Sequence, residues 1–130
     1  MHLTTPHRPA PVPATPATIA DILRDLPERP DPFVILGGSD EQRYMQTLWT
    51  PEGFILEFQE GGIDRHYRCA RRDFTADEVS LALGQYLAWN GQWRPAFEAE
   101  KVEVRTGFYR FGHALGYFVG RVRRLFSSTT

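Results

Sequence analysis

RYMQTLWTPEGFILEFQEGGIDRHYRCA, residues 43–70, decides the fold. Residues 43–50 are rich in β-formers, and residues 53–59 alternate apolar and polar as a half-buried strand does. Between them Thr50-Pro51-Glu52-Gly53 puts proline and glycine where a tight turn wants them, so the two runs read as a hairpin. Gly61-Gly62 marks a second turn, and residues 64–70 read as a third strand of the meander.

Alternation then assigns faces. Phe54, Leu56 and Phe58 point one way, toward a core, while Ile55, Glu57 and Gln59 point the other. On the third strand Asp64, His66 and Arg68 alternate with Arg65, Tyr67 and Cys69. The simplest register puts Tyr67 and Cys69 with the phenylalanines. Glu57, Gln59, His66 and Arg68 then share an outer polar face, with cross-strand charge pairs of Glu57 worth roughly 0.2–1 kcal/mol.

Working outward, FTADEV (74–79) carries the clearest helix start. Thr75 is the N-cap, Glu78 closes the capping box, and Phe74 with Val79 makes a hydrophobic staple. Val79, Leu83, Tyr86 and Leu87 form the stripe of this central helix, and Asn90-Gly91 ends it. A segment with Trp93 and Phe97 leads to a last strand at 101–104. Upstream, residues 33–36 make a short strand ended by Gly37-Gly38. A first helix is predicted from Thr18, with Asp21 in a loose capping box and Ile19, Ile22, Leu23 and Leu26 buried, until Pro27 stops it. Residues 1–16 hold five prolines and are expected to be a disordered tail. Residues 17–104 then form one α+β domain: an antiparallel β-meander covered by a central helix, with amphipathic helices at its N- and C-terminal ends.

The C-terminal helix is expected over 105–126, followed by a short tail at 127–130. Phe108, Phe111, Leu115, Phe118, Val122 and Leu125 fall on one stripe, with Arg110, Arg121 and Arg124 opposite. Gly112, Gly116 and Gly120 form a bare stripe of the kind that permits close helix packing. Three destinations compete for this helix: the protein's own sheet, a partner or second copy, and a membrane surface.

Bulk properties narrow the function. At 130 residues the chain has the length of one domain, and a 42% hydrophobic content suffices for an ordinary core. Net charge −1 and a pI near 6.4 give no field toward nucleic acid. Arginine outnumbers lysine fourteen to one, which reads as compositional bias. The single cysteine, Cys69, precludes an internal disulfide, and its core-facing direction argues against a nucleophile. No secretory leader and no apolar run of spanning length is visible, so a cytoplasmic protein is expected. His66 with Asp64 and Glu57 or Glu60 is an incomplete ligand set, so neither metal nor cofactor is expected. Glu57 and His66 could act as acid and base only in a cleft, which a strand face does not provide.

The order GFILEFQEGGIDRHYRC, FTADEV and QYLAWNGQWRPAFEAEKVEV, over residues 44–104, is similar to a family of small bacterial proteins without an assigned activity. Proteins of this size and layout also resemble immunity proteins, the cytoplasmic partners of secreted antibacterial toxins. That resemblance implies a non-enzymatic protein that binds a protein partner and inhibits a toxin effector. The partner surface expected from the residues comprises Trp49, Glu57, Glu60, Asp64, His66 and Arg68, with Glu98, Glu100 and Glu103 as a second acidic group. The alternatives are a scaffold assembling through the C-terminal helix and a small enzyme using Glu57 and His66.

Overall fold

The computed structural model describes residues 1–88 and the backbone of residues 99–101. Within them the chain is α+β: a seven-stranded antiparallel sheet in the order β2-β1-β3-β4-β5-β6-β7, with two helices. The predicted meander is present as β3 (Phe33–Gly37), β4 (Arg43–Thr50), β5 (Gly53–Glu60) and β6 (His66–Cys69). Thr50 faces Gly53 across the predicted turn, where Gly53 adopts a φ of 136°. The third strand starts two residues later than expected, because Ile63–Arg65 forms a turn of 3-10 helix. Asp64 therefore lies outside the strand.

The proline-rich start is not a disordered tail. His2–Thr4 forms β1, paired with β3, and Val12–Pro13 forms the edge strand β2. Leu3 is fully buried in the main core. The Thr5 hydroxyl donates to the Phe33 carbonyl at 2.7 Å, and the Ala14 N–H donates to the Met1 carbonyl at 3.0 Å. The prolines allow this because β1 ends before Pro6, while Pro13, which lacks an N–H, sits on an edge strand with a neighbour on one side only.

Helix α1 (Pro16–Asp25) starts at a different cap from the predicted one. Thr15 is the N-cap: its hydroxyl accepts from the Thr18 N–H at 3.1 Å, and its own N–H donates to the Thr18 hydroxyl at 2.8 Å. Pro16 takes the first helical position, where its fixed φ suits a helix and its missing N–H costs nothing. Ile19, Ile22, Leu23 and Leu26 are buried as their spacing predicts. Helix α2 (Ala76–Ala88) starts as expected: the Thr75 N–H donates to Glu78 Oε1 at 3.1 Å, and the Glu78 N–H to the Thr75 hydroxyl at 3.2 Å.

Both helices pack on one face of the sheet. Their buried residues join Leu3, Val34, Leu36, Met45, Phe54, Leu56, Phe58 and Cys69 in the main core. The cover is thus a helix pair rather than a single central helix. The opposite face carries Phe33, Ile35 and Tyr44, with Leu48 packed against them. The last strand, β7 (Ala99–Lys101), pairs with β6 two residues earlier than predicted, with Glu100 at the register position opposite Arg68. The expected helix at 105–126, with Phe111, Gly112, Leu115, Gly116, Phe118 and Gly120, lies outside the described residues, as do Asn90-Gly91, Trp93, Phe97, Glu98 and Glu103. Among the described residues no helix is long and apolar enough to cross a membrane.

Candidate functional site

The register places Glu57 opposite Arg68 and Gln46, and Gln59 opposite His66 and Tyr44. Alternation thus brings Tyr44, Gln46, Glu57, Gln59, His66 and Arg68 to one face, as the strand pattern predicts for the last four. What the pattern does not predict is depth. Glu57 and His66 are each 1% exposed, Gln46 is 0% and Gln59 4%. The polar face is interior.

Burial there requires partners, and the cluster supplies them. Gln46 Nε2 donates to Glu57 Oε2 at 3.1 Å. Glu57 Oε1 lies 3.2 Å from His66 Nε2 and 3.4 Å from Arg68 Nε. On the other side of the ring, His66 Nδ1 is 3.3 Å from Gln59 Oε1, which also accepts from the Tyr44 hydroxyl at 3.0 Å. The Gln59 amide is oriented independently, because its Nε2 donates to the Gln42 carbonyl at 3.2 Å, and a carbonyl can only accept. Both ring nitrogens of His66 therefore face oxygen acceptors. A neutral ring can donate to one of them, an imidazolium to both. Gln46 Oε1 has no hydrogen-bond partner among the described residues, since its amide is held by the bond of Nε2 to Glu57.

These contacts tie β4, β5 and β6 together through one carboxylate, an imidazole ring and a guanidinium. A Glu–His pair has the composition of an acid–base dyad. At 1% exposure, however, neither group reaches a surface from which it could touch a substrate. Among the described residues no group of three or more histidine, cysteine or acidic side chains could hold a metal ion.

The expected partner surface is therefore divided. Trp49 stands opposite Phe54 and packs, half-buried, against the main core on the helix side, away from Glu57. Glu57, His66 and Arg68 belong to the interior cluster. Glu60 and Asp64 lie instead around the β5–β6 turn, Asp64 exposed and Glu60 half-buried. That turn meets the β3–β4 loop: the Gly61 N–H donates to the Gln42 carbonyl at 2.9 Å. Asp40 and Glu41 on the second loop are exposed, and Arg43, 3.5 Å from Asp40, sits between the loops with its guanidinium against Gly61. The nearby Tyr86 phenol is pushed up to about 12 by burial, with Arg43 opposing and Glu60 and Asp40 adding to the rise.

Tyr44, Gln46 and Gln42 complete these arrangements and are not conspicuous in the sequence. Their signal is weak but present: in RYMQTLWT, Tyr44 and Gln46 share the alternation phase of Glu57 and Gln59 across the hairpin. Cys69, on the helix side, is pushed up to about 12 by burial and then by the Glu57 charge, so its thiol stays protonated and unreactive at neutral pH. Comparison with protein-family models, with curated proteins and with solved structures finds no match to the chain.

Proposed function

We propose that the protein is a non-enzymatic binding protein that engages a basic protein partner, acting as an immunity-type inhibitor of a toxin effector. The observation that carries this reading is the joined pair of loops at one end of the sheet, which carries Asp40, Glu41, Glu60 and Asp64, with Arg43 beside Asp40 and opposite Glu60. The charge is local to these loops, since the whole chain carries only −1. Such a surface suits a positively charged active site or nucleic-acid-binding cleft, because complementary potentials raise the association rate and fix the docking register. Supporting a binding rather than a catalytic role, the Glu57–His66 pair is enclosed and each member is held by structural hydrogen bonds.

The test is affinity capture with the full-length protein, followed by quantitative binding of the purified partner. A single basic partner is expected, whose toxicity or enzymatic activity the protein suppresses. The double reversal Asp40→Lys with Asp64→Lys should weaken binding at least tenfold. Raising salt from 0.1 to 0.5 M should weaken the wild-type complex, since screening at these concentrations shortens the reach of exposed charges from about 10 Å to under half that. A partner bound equally well by the reversed protein would remove the loops from the interface. A partner that keeps full activity when bound would remove the inhibitor role.

A further inference from the structure

The connection between α1 and β3 holds both non-glycine residues of positive φ among the described residues, Glu28 at 66° and Asp31 at 50°. Asp31 stands between Pro30 and Pro32, and Asp31-Pro32 is the one Asp-Pro bond in the chain. A proline ring pushes the residue before it toward extended backbone. A left-handed Asp31 is therefore strained both by its own Cβ and by Pro32. Its carbonyl oxygen is held from two sides. The Phe33 N–H donates to it at 2.9 Å, and His7 Nε2 lies 3.1 Å away. A carbonyl only accepts, so His7 Nε2 carries a proton and donates it.

Two donors on one oxygen, at the roughly 2.7–3.1 Å of an oxyanion hole, stabilise negative charge on it. Such charge develops when a nucleophile attacks the Asp31 carbonyl carbon, and a nucleophile is present on the same residue. The Asp31 side chain is exposed and makes no hydrogen bond or ion pair among the described residues. We infer that Asp31-Pro32 is a self-cleavage site, with His7 Nε2 and the Phe33 N–H as its oxyanion hole. A carboxyl oxygen of Asp31 bonds to its own main-chain carbonyl carbon and closes a cyclic anhydride. The C–N bond to Pro32 breaks, and the carboxyl proton passes to the proline nitrogen, which keeps the electron pair. Water then opens the anhydride, leaving Asp31 with a C-terminal carboxyl and its side-chain carboxyl restored. One water is consumed and no oxidant or reductant is needed. Attack from within the same residue saves the entropy of bringing two reactants together. The pieces stay joined after the cut, because β1 pairs with β3 across it and Leu3, Ile19, Ile22 and Leu23 share a core with Val34 and Leu36. This site lies at the end of the sheet opposite the acidic loops and is independent of the partner reading.

The experiment incubates the folded full-length chain at pH 5 and 37 °C, beside the same chain in urea, and follows intact mass under denaturing conditions. Fragments 1–31 and 32–130 should form, their masses summing to the parent plus one water, at least tenfold faster in the folded chain than in urea. Asp31→Gly keeps the left-handed φ accessible and removes the carboxyl, so it should yield no fragments. His7→Phe removes one donor; it should slow the folded chain at least tenfold and leave the rate in urea unchanged. Cooperative urea unfolding would first establish that each variant folds. A folded wild type that stays intact, or that is cut no faster than the unfolded chain, would overturn the proposal. So would the same fragments from Asp31→Gly, or His7→Phe cleaving at the wild-type rate.

Discussion

Replacing Glu57 tests whether the interior cluster is held by the physics argued above. Its carboxylate accepts from Gln46 Nε2 at 3.1 Å, faces His66 Nε2 at 3.2 Å and lies 3.4 Å from Arg68 Nε. Glu57→Gln keeps the shape and removes the charge. The new amide can still be accommodated: rotating Gln46 by 180° offers its unused Oε1 to the new N–H, and the remaining oxygen still accepts from His66. The loss is then the difference between charge-assisted and neutral hydrogen bonds, about 2 kcal/mol. Glu57→Leu is of similar size but leaves the Gln46 amide and the His66 ring facing hydrocarbon and takes the carboxylate away from the Arg68 guanidinium. At 1–3 kcal/mol for each buried donor left unsatisfied, and within the range found for broken buried ion pairs, the cost is about 4–5 kcal/mol. Domains of this size are stable by roughly 5–15 kcal/mol, so the leucine variant should be marginal or unfolded. Urea denaturation followed by tryptophan fluorescence gives the ranking. With a slope of about 2 kcal/mol/M, the midpoint should fall by about 1 M for glutamine and by more than 2 M for leucine. If leucine equals or exceeds glutamine in stability, hydrogen-bond satisfaction is not what governs this face, and the reasoning fails.

Further outcomes follow from single features. Leu3→Ala should cost about 3 kcal/mol, the usual loss for a fully buried leucine; an effect under about 0.5 kcal/mol in the same urea assay would mean that β1 is not part of the core. Gly53→Ala should cost roughly 2–3 kcal/mol, because φ is 136° and a Cβ would lie 2.6 Å from Asp73 Cα. Gly84→Ala, inside α2 with open space around it, should instead stabilise by about 0.5–1 kcal/mol; reversal of that order in thermal melts would contradict the backbone assignment. Cys69 should react with a thiol reagent at pH 8 at least about a hundredfold more slowly in the native than in the urea-unfolded chain, its thiol being pushed up to about 12; similar rates would show that it is not enclosed. Glu78 is held at about 2, below its ordinary 4.5, first by the Arg71 guanidinium and then by the Thr75 N–H. A depressed carboxylate stabilises the fold above its unfolded value and loses that contribution as pH falls from about 4.5 toward 2. The urea midpoint of the wild type should therefore drop more steeply between pH 5 and 3 than that of Glu78→Gln, and parallel curves would refute the pairing.

Local chemistry alone determined a good deal of this protein. The β4–β5 hairpin, the Thr75–Glu78 capping box, the buried residues of α1 and the sharing of one face by Glu57, Gln59, His66 and Arg68 all follow from turn residues, caps and periodicity. These signals are local because each rests on contacts a few residues apart or on the fixed alternation of a strand. Thr15 is less conspicuous because Thr18 and Asp21 offer a similar cap pattern, although Pro16 at the first helical position is a local mark of the earlier start. The N-terminal strands are not legible because their prolines resemble a linker, while the pairing that fixes β1 is with β3, some thirty residues away.

The decisive difference concerns the polar face. Alternation says which side chains lie together; it says nothing of what lies above them. Glu57 and His66 read as surface residues because polar strand faces usually meet water. The tertiary structure makes them interior, and it moves Trp49 to the opposite side of the sheet and Asp64 to a loop. Burial is a property of the neighbouring layer, set by the path of the whole chain. For that reason the sequence determined the composition of this cluster, and only the tertiary structure decided that it lies inside and links the strands.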